Sequence, residues 1–322
     1  MPRAGAPTPF RDGFAAVQHE PALLGAEITW RWCFGFSAFV LIVFSAGLFL
    51  NSLKVSKLDQ LLLSTLQPRL FARAFRDIFH GSLSRLLLLD AVLVVGLTVL
   101  WSFASAVGRA AILRRLLEMF SSADEPEGHA MEWRLRPIFL LELLRAMWAQ
   151  IAIYVTVVIF LYGLFMAADE RPFAAALSLS FGVGIACLTG FSLNWYLGMS
   201  PLFCLRDGAG AGEAVEQAVE FFSMHRGRLS LIGMGFFVVR LIWTVAMGAI
   251  VLAPLSLAGK VGVRWIFLLM GLSALTYFAG VDLLRLARWG AYISLLEETS
   301  HFASPTAVEV PPPDMLPLEG LA

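Results

Sequence analysis

Polar positions in this chain are segregated by place rather than spread by period. Cys33–Leu50, Ala146–Ala168 and Pro172–Leu205 carry no charged residue at all, and Leu86–Gly108, Leu229–Gly259 and Trp265–Leu284 carry one each. A helix needs about 20 mostly apolar residues to cross the hydrocarbon core of a bilayer. These six runs therefore predict an all-α, polytopic integral membrane helix bundle of six transmembrane helices. The first span extends backwards through "PALLGAEITWRW", where Pro21 suits a helix start. Only "DERP" separates the third and fourth runs, which makes them antiparallel neighbours.

A different period appears between the first two spans. In 51–85, Leu70, Phe71, Phe75, Ile78 and Phe79 recur on one side of a helix, with Arg69, Arg73 and Arg76 on the other. A helix patterned this way either lies in the headgroup region with its apolar face down or packs on the ends of other helices. "PFRDGFAAV" near the N-terminus has the same character. The expected organisation is a cytoplasmic segment 1–20 with a short amphipathic helix, a six-span membrane domain 21–298, and a disordered proline-rich tail 299–322.

Composition agrees with the pattern. The 322 residues are 58% hydrophobic and 15% charged, with a mean hydropathy of +0.75, whereas soluble domains are about 25% charged. A net charge of zero gives no reason to expect nucleic acid as a partner. Counting Lys and Arg outside the helices, the arrangement with both termini cytoplasmic places 13 inside and 9 outside. The expected partners are the lipid bilayer and other membrane proteins. No metal-ligand spacing, phosphate loop or nucleophile constellation occurs, so neither catalysis nor a metal or other cofactor is expected.

Two features stand out within the spans. Small residues recur every four positions in the fourth run, through Ser178, Gly182, Ala186 and Gly190, the spacing by which membrane helices approach closely. The second feature is charge. Arg240 sits about 12 residues into the fifth span, roughly 18 Å deep at about 1.5 Å per residue. Asp90 enters from the opposite side and differs in depth by only about 5 Å. Asp282, Glu142 and Arg145 form a second candidate cluster near the inner face. Such charges mark functional sites by default, but acid–base pairs at matched depth also pin helices together. Both readings stand: a non-enzymatic protein that organises membrane or supports partners, or a small transporter or channel with a charged site around Arg240.

Two segments suggest relationships. "RAAILRRLLE" (109–118) and "RWGAYISLLE" (288–297) match in register at arginine, small and Leu-Leu-Glu positions, a hint of internal duplication. The stretch "PLFCLRDGAGAGEAVEQAVEFFSMHRGRLSLI" runs from a span-ending proline through a glycine-rich turn and a short helix opened by Glu213 and Ala214, then by Arg226 and Arg228 into the next span. It resembles uncharacterised bacterial multi-span membrane proteins related to the membrane domain of glycerophosphodiester phosphodiesterases. Relatives often carry a serine where this chain has Ala218. No phosphodiesterase domain is present, so the resemblance implies no catalytic residues; it implies a protein of the bacterial inner membrane.

Overall fold

The computed structural model describes residues 8–53, 55–56, 61, 78, 82–120, 134–168, 172–257 and 262–303, and every regular element among them is helical. In chain order these are α1 (Pro9–His19), α2 (Pro21–Ser52), α3 (Leu83–Phe120), α4 (Leu135–Ala168), α5 (Pro172–Arg206), α6 (Ala211–Leu252), a 3₁₀ turn (Ala253–Leu257) and α7 (Val263–Ala303). Prolines Pro9, Pro21 and Pro172 each open a helix, where their missing N–H costs nothing. The amphipathic stretch read between 54 and 81, apart from single positions, lies outside the described residues, as does the tail from 304.

The helices are longer than the apolar runs within them. α3 has 38 residues and α6 has 42, so at about 1.5 Å per residue each approaches twice the roughly 30 Å of a hydrocarbon core. Pro201 was expected to end a span, yet α5 continues through it to Arg206. The lost hydrogen bond is outweighed by burial of the following turn, where Leu202, Phe203 and Cys204 are all buried. The α5–α6 turn closes at Gly208, whose φ of +67° suits a residue without Cβ. Glu213 then accepts the Gly210 N–H at 2.9 Å and caps α6. At His225 the backbone leaves helical values (φ −117°, ψ 25°), so the short helix and the span expected there are two arms of α6 joined at a kink.

Among the described residues, five helices are long and apolar enough to cross a membrane: α2, α3, α4, α6 and α7. In each, at most 11% of the most apolar 18-residue window is buried. Phe36, Phe39, Val95, Phe237 and Leu272 are among the many large apolar side chains left exposed, far more than a water-facing surface tolerates. Lipid is the solvent these faces fit. The expected fourth span lies within α5, a helix of 35 residues.

The chain divides into two compact units. One comprises Met1–Leu24, Arg115–Gly128 and His225–Ala322, and the other Gly25–Arg114 and His129–Met224.

In the first unit, α1 packs against the C-terminal part of α7. Gly13 lies so close to α7 that a Cβ there would collide with the backbone of Ala287 and Ala291, and Gly290 meets Gly13 from the other side. The Ser294 hydroxyl donates to Asp12 at 2.9 Å. Phe10 and Phe14 stand against Phe236 of α6, with ring centroids 4.6 and 5.6 Å apart. The N-terminal amphipathic helix is thus packed on protein, with Gly13, Ala16 and Val17 buried. Further along, the Trp243 indole lies over Gly280 and donates to the Tyr277 carbonyl at 3.1 Å.

In the second unit, Trp30 of α2 covers Gly108 of α3 and stacks beside Trp101, centroids 5.5 Å apart. Glu27 is buried, and accepts from the Trp30 indole at 2.9 Å and from Arg31 at 3.3 Å. α4 and α5 pack along each other, and at Gly182 a Cβ would press into Ile159. Gly190 has open space around it. The side chains of Ser178 and Ala186 lie outside the described part of the chain.

Burial is concentrated at particular helix ends. It falls on the C-terminal part of α3 (Ala110, Leu113, Leu116), the N-terminal turns of α4 (Ile138, Leu141), the end of α5 (Met199, Leu202) and the end of α7 (Leu286, Ile293, Leu295). The two echoing segments share this fate, since Leu116–Leu117 and Leu295–Leu296 are all buried.

Candidate functional site

The charged residues singled out in the sequence fall into separate environments. In the second unit, Glu142 is 2% exposed. Its principal partner is Arg109 of α3, which donates to Oε1, while the Ser105 hydroxyl donates to Oε2 at 2.7 Å. Arg145, one turn along α4, stands 3.8 Å from the same carboxylate. The expected Glu142–Arg145 pair is therefore the outer part of a tighter cluster. Arg109 was counted among the charges outside the second span, but α3 runs on to Phe120 and holds it 9% exposed. A visible signal did point to this. Thr98, Ser102, Ser105 and Arg109 are spaced four, three and four apart, which lines them along one helix face. Thr98 and Ser102 are also buried, and the Thr98 hydroxyl oxygen has no hydrogen-bond partner among the described residues.

Asp90 accepts a hydrogen bond from Tyr154 of α4 at 2.8 Å. This tyrosine was not singled out in the sequence. Asp282, in the first unit, is 5% exposed and stands 3.8 Å from Arg285, a turn further along α7. It thus belongs to a different unit from Glu142 and Arg145, with which it was grouped. Arg240 is also in the first unit, exposed on α6, with no ion-pair partner among the described residues. The expected Asp90–Arg240 pair joins residues of the two units.

The second unit also carries an open groove of about 450 Å³, lined by Arg134, Leu135, Arg136, Pro137 and Leu140 at the start of α4 and by Gly210 and Ala211 at the start of α6. Arg134 donates to the Gly208 carbonyl and so ties the two loops together. Arg136 is exposed and has no ion-pair partner among the described residues. Beside this turn, burial pushes the Asp207 carboxyl above its ordinary pKa, opposed by Arg206 at 3.8 Å. Surface ion pairs in the first unit join Arg115 to Glu20 at 2.9 Å and Arg228 to Glu298 at 3.2 Å.

Among the described residues no three His, Cys, Asp or Glu side chains come together as a metal site. Comparison with protein-family models, with curated proteins and with solved structures gives no match.

Proposed function

We propose that this chain is a six-span, non-enzymatic protein of the bacterial inner membrane, with both termini cytoplasmic, that organises lipid or supports partner proteins. One observation carries the reading. The most deeply buried of the intramembrane and boundary acids, Glu142, is held between helices by Arg109 and Ser105, while the apolar windows are left open to lipid. A carboxylate enclosed this way acts as a pin between α3 and α4. In the six-span arrangement the densely buried helix ends of each unit fall on the cytoplasmic side. The likeness of 201–232 to the membrane domain of glycerophosphodiester phosphodiesterases accords with an inner-membrane location and brings no catalytic residues.

Arg240 favours a second reading, a transporter or channel, because it is a span arginine without an ion-pair partner among the described residues. The two readings separate on water access. In a background with Cys33, Cys187 and Cys204 each changed to Ala, a Leu241→Cys variant reconstituted into vesicles is expected to stay inert to a membrane-impermeant thiol reagent from either side. Rapid labelling would show a water-filled path at Arg240 and overturn the organising role in favour of transport.

A further inference from the structure

The groove at the start of α4 combines features that suit one chemical class of ligand. Two guanidinium groups, Arg134 and Arg136, stand at its wall. Arg134 is committed to the Gly208 carbonyl, so Arg136 is the cation left to meet a ligand. The N-termini of α4 and α6 both open onto the groove, adding partial positive charge. Two carboxylates lie nearby: Glu213, engaged with the Gly210 N–H, and Asp207, 3.8 Å from Arg206. The second feature is what continues from the groove. Leu140, Leu144, Met147 and Ile151 follow Arg136 at spacings of four, four, three and four, and all four are exposed, Leu140 by 48%. That spacing lays them along one face of α4. It carries an apolar track from the basic groove straight into the membrane-spanning part of the helix.

A cationic groove that holds a soluble anion has no need of such a track, and an apolar track facing lipid has no need of the cations. Together they match an amphiphile with a phosphate at one end and an acyl chain at the other. We infer that this groove binds an anionic phospholipid, with the phosphate held by Arg136 and an acyl chain lying along Leu140, Leu144, Met147 and Ile151. The inference rests on the lipid-organising reading above and makes it specific to one site. The guanidinium suits the task because it presents several donors to phosphate oxygens in a planar fork.

The test uses the full chain purified in detergent, with phosphatidylglycerol, phosphatidylcholine, inorganic phosphate and a short-chain phosphatidylglycerol as probes, and bound lipid counted by native mass spectrometry. The wild type is expected to retain phosphatidylglycerol over phosphatidylcholine. Arg136→Gln is expected to weaken that retention about tenfold or more, the scale of one charge-assisted hydrogen bond, with the thermal unfolding midpoint unchanged because Arg136 is exposed. A Leu144→Gln variant is expected to weaken long-chain lipid and leave the short-chain form nearly unaffected. If inorganic phosphate displaces the lipid at equal concentration, and chain length has no effect, the ligand is a free phosphate and the lipid assignment falls. If Arg136→Gln retains phosphatidylglycerol as the wild type does, the groove is not the site, while the broader organising role stands. No headgroup preference in the wild type would overturn both.

Discussion

At the scale of single residues, the Glu142 carboxylate is the most constrained charge described. Taking a carboxylate and a guanidinium out of water is costly, and their mutual attraction repays it only while both are present. Removing Arg109 alone leaves a buried, unbalanced acid. Arg109→Leu is therefore expected to lower the unfolding free energy in detergent by about 3–5 kcal/mol, and Arg109→Leu with Glu142→Leu to recover most of that loss. A double change no better than the single would mean that Arg145 already serves as the partner. Asp207 is governed by burial instead. Its folded-state pKa lies above the unfolded value, so the folded form holds its proton more tightly. This contribution to stability is complete below the unfolded pKa and is lost as pH rises through the raised one. Asp207→Asn should accordingly raise the melting temperature at pH 7 relative to wild type, and the difference should shrink as pH falls towards 4. Of these residues, Glu142 was legible in the sequence because an acid beside an apolar run is conspicuous. Arg109 was legible only through its spacing from Thr98, Ser102 and Ser105, since a charge just past the last apolar residue otherwise reads as a loop charge.

At the scale of elements, α1 is held against α7 by the absence of side chains. Gly13 and Gly290 allow the two backbones to meet, with the Asp12–Ser294 hydrogen bond and the Phe10, Phe14 and Phe236 rings around them. Gly13→Val has nowhere to place its side chain and is expected to detach α1, read as new proteolytic cleavage near residues 9–20 while the rest of the chain remains protected. The amphipathic pattern of "PFRDGFAAV" announced a helix with one buried face but not what would cover it. Lipid and protein both satisfy an apolar face, and only the glycine at its centre favours protein. The four-residue stripe of α5 shows the same limit. A four-residue period drifts by about 40° per step around a helix, so Gly182 meets Ile159 while Gly190 does not share its neighbour. Length was the poorest inference. Hydropathy marks where a helix meets hydrocarbon, but it does not register the amphipathic turns that carry the same helix onwards.

At the scale of the whole molecule, close packing belongs to the helix ends and lipid contact to the apolar windows. Stability should follow that division. Leu116→Ala and Ile293→Ala remove fully buried side chains and are expected to cost about 2–5 kcal/mol each. Val95→Ala and Leu272→Ala, on exposed faces of the windows, should stay within about 0.5 kcal/mol of wild type in detergent unfolding. Equal losses at both places would show that the windows pack against protein in the membrane. The all-helical, multi-pass class was legible because six apolar runs of spanning length, none with more than one charge, have few other interpretations. The two-unit division was not legible. It places 8–24 with the last helix and cuts α2, α3 and α6 internally, and no composition shift or linker marks these points.

The attachment of α1 to α7 also sets an order of events in biosynthesis. Asp12 and Ser294 are 282 positions apart, so at about 5–20 residues per second the ribosome needs roughly 15–60 s to deliver the partner. For that interval the first helix leaves the ribosome with an apolar face and no cover, exposed to chaperones and proteases. Chains that stop before α7 lack the surface that covers this face. It can be covered only when nearly the whole chain has been made.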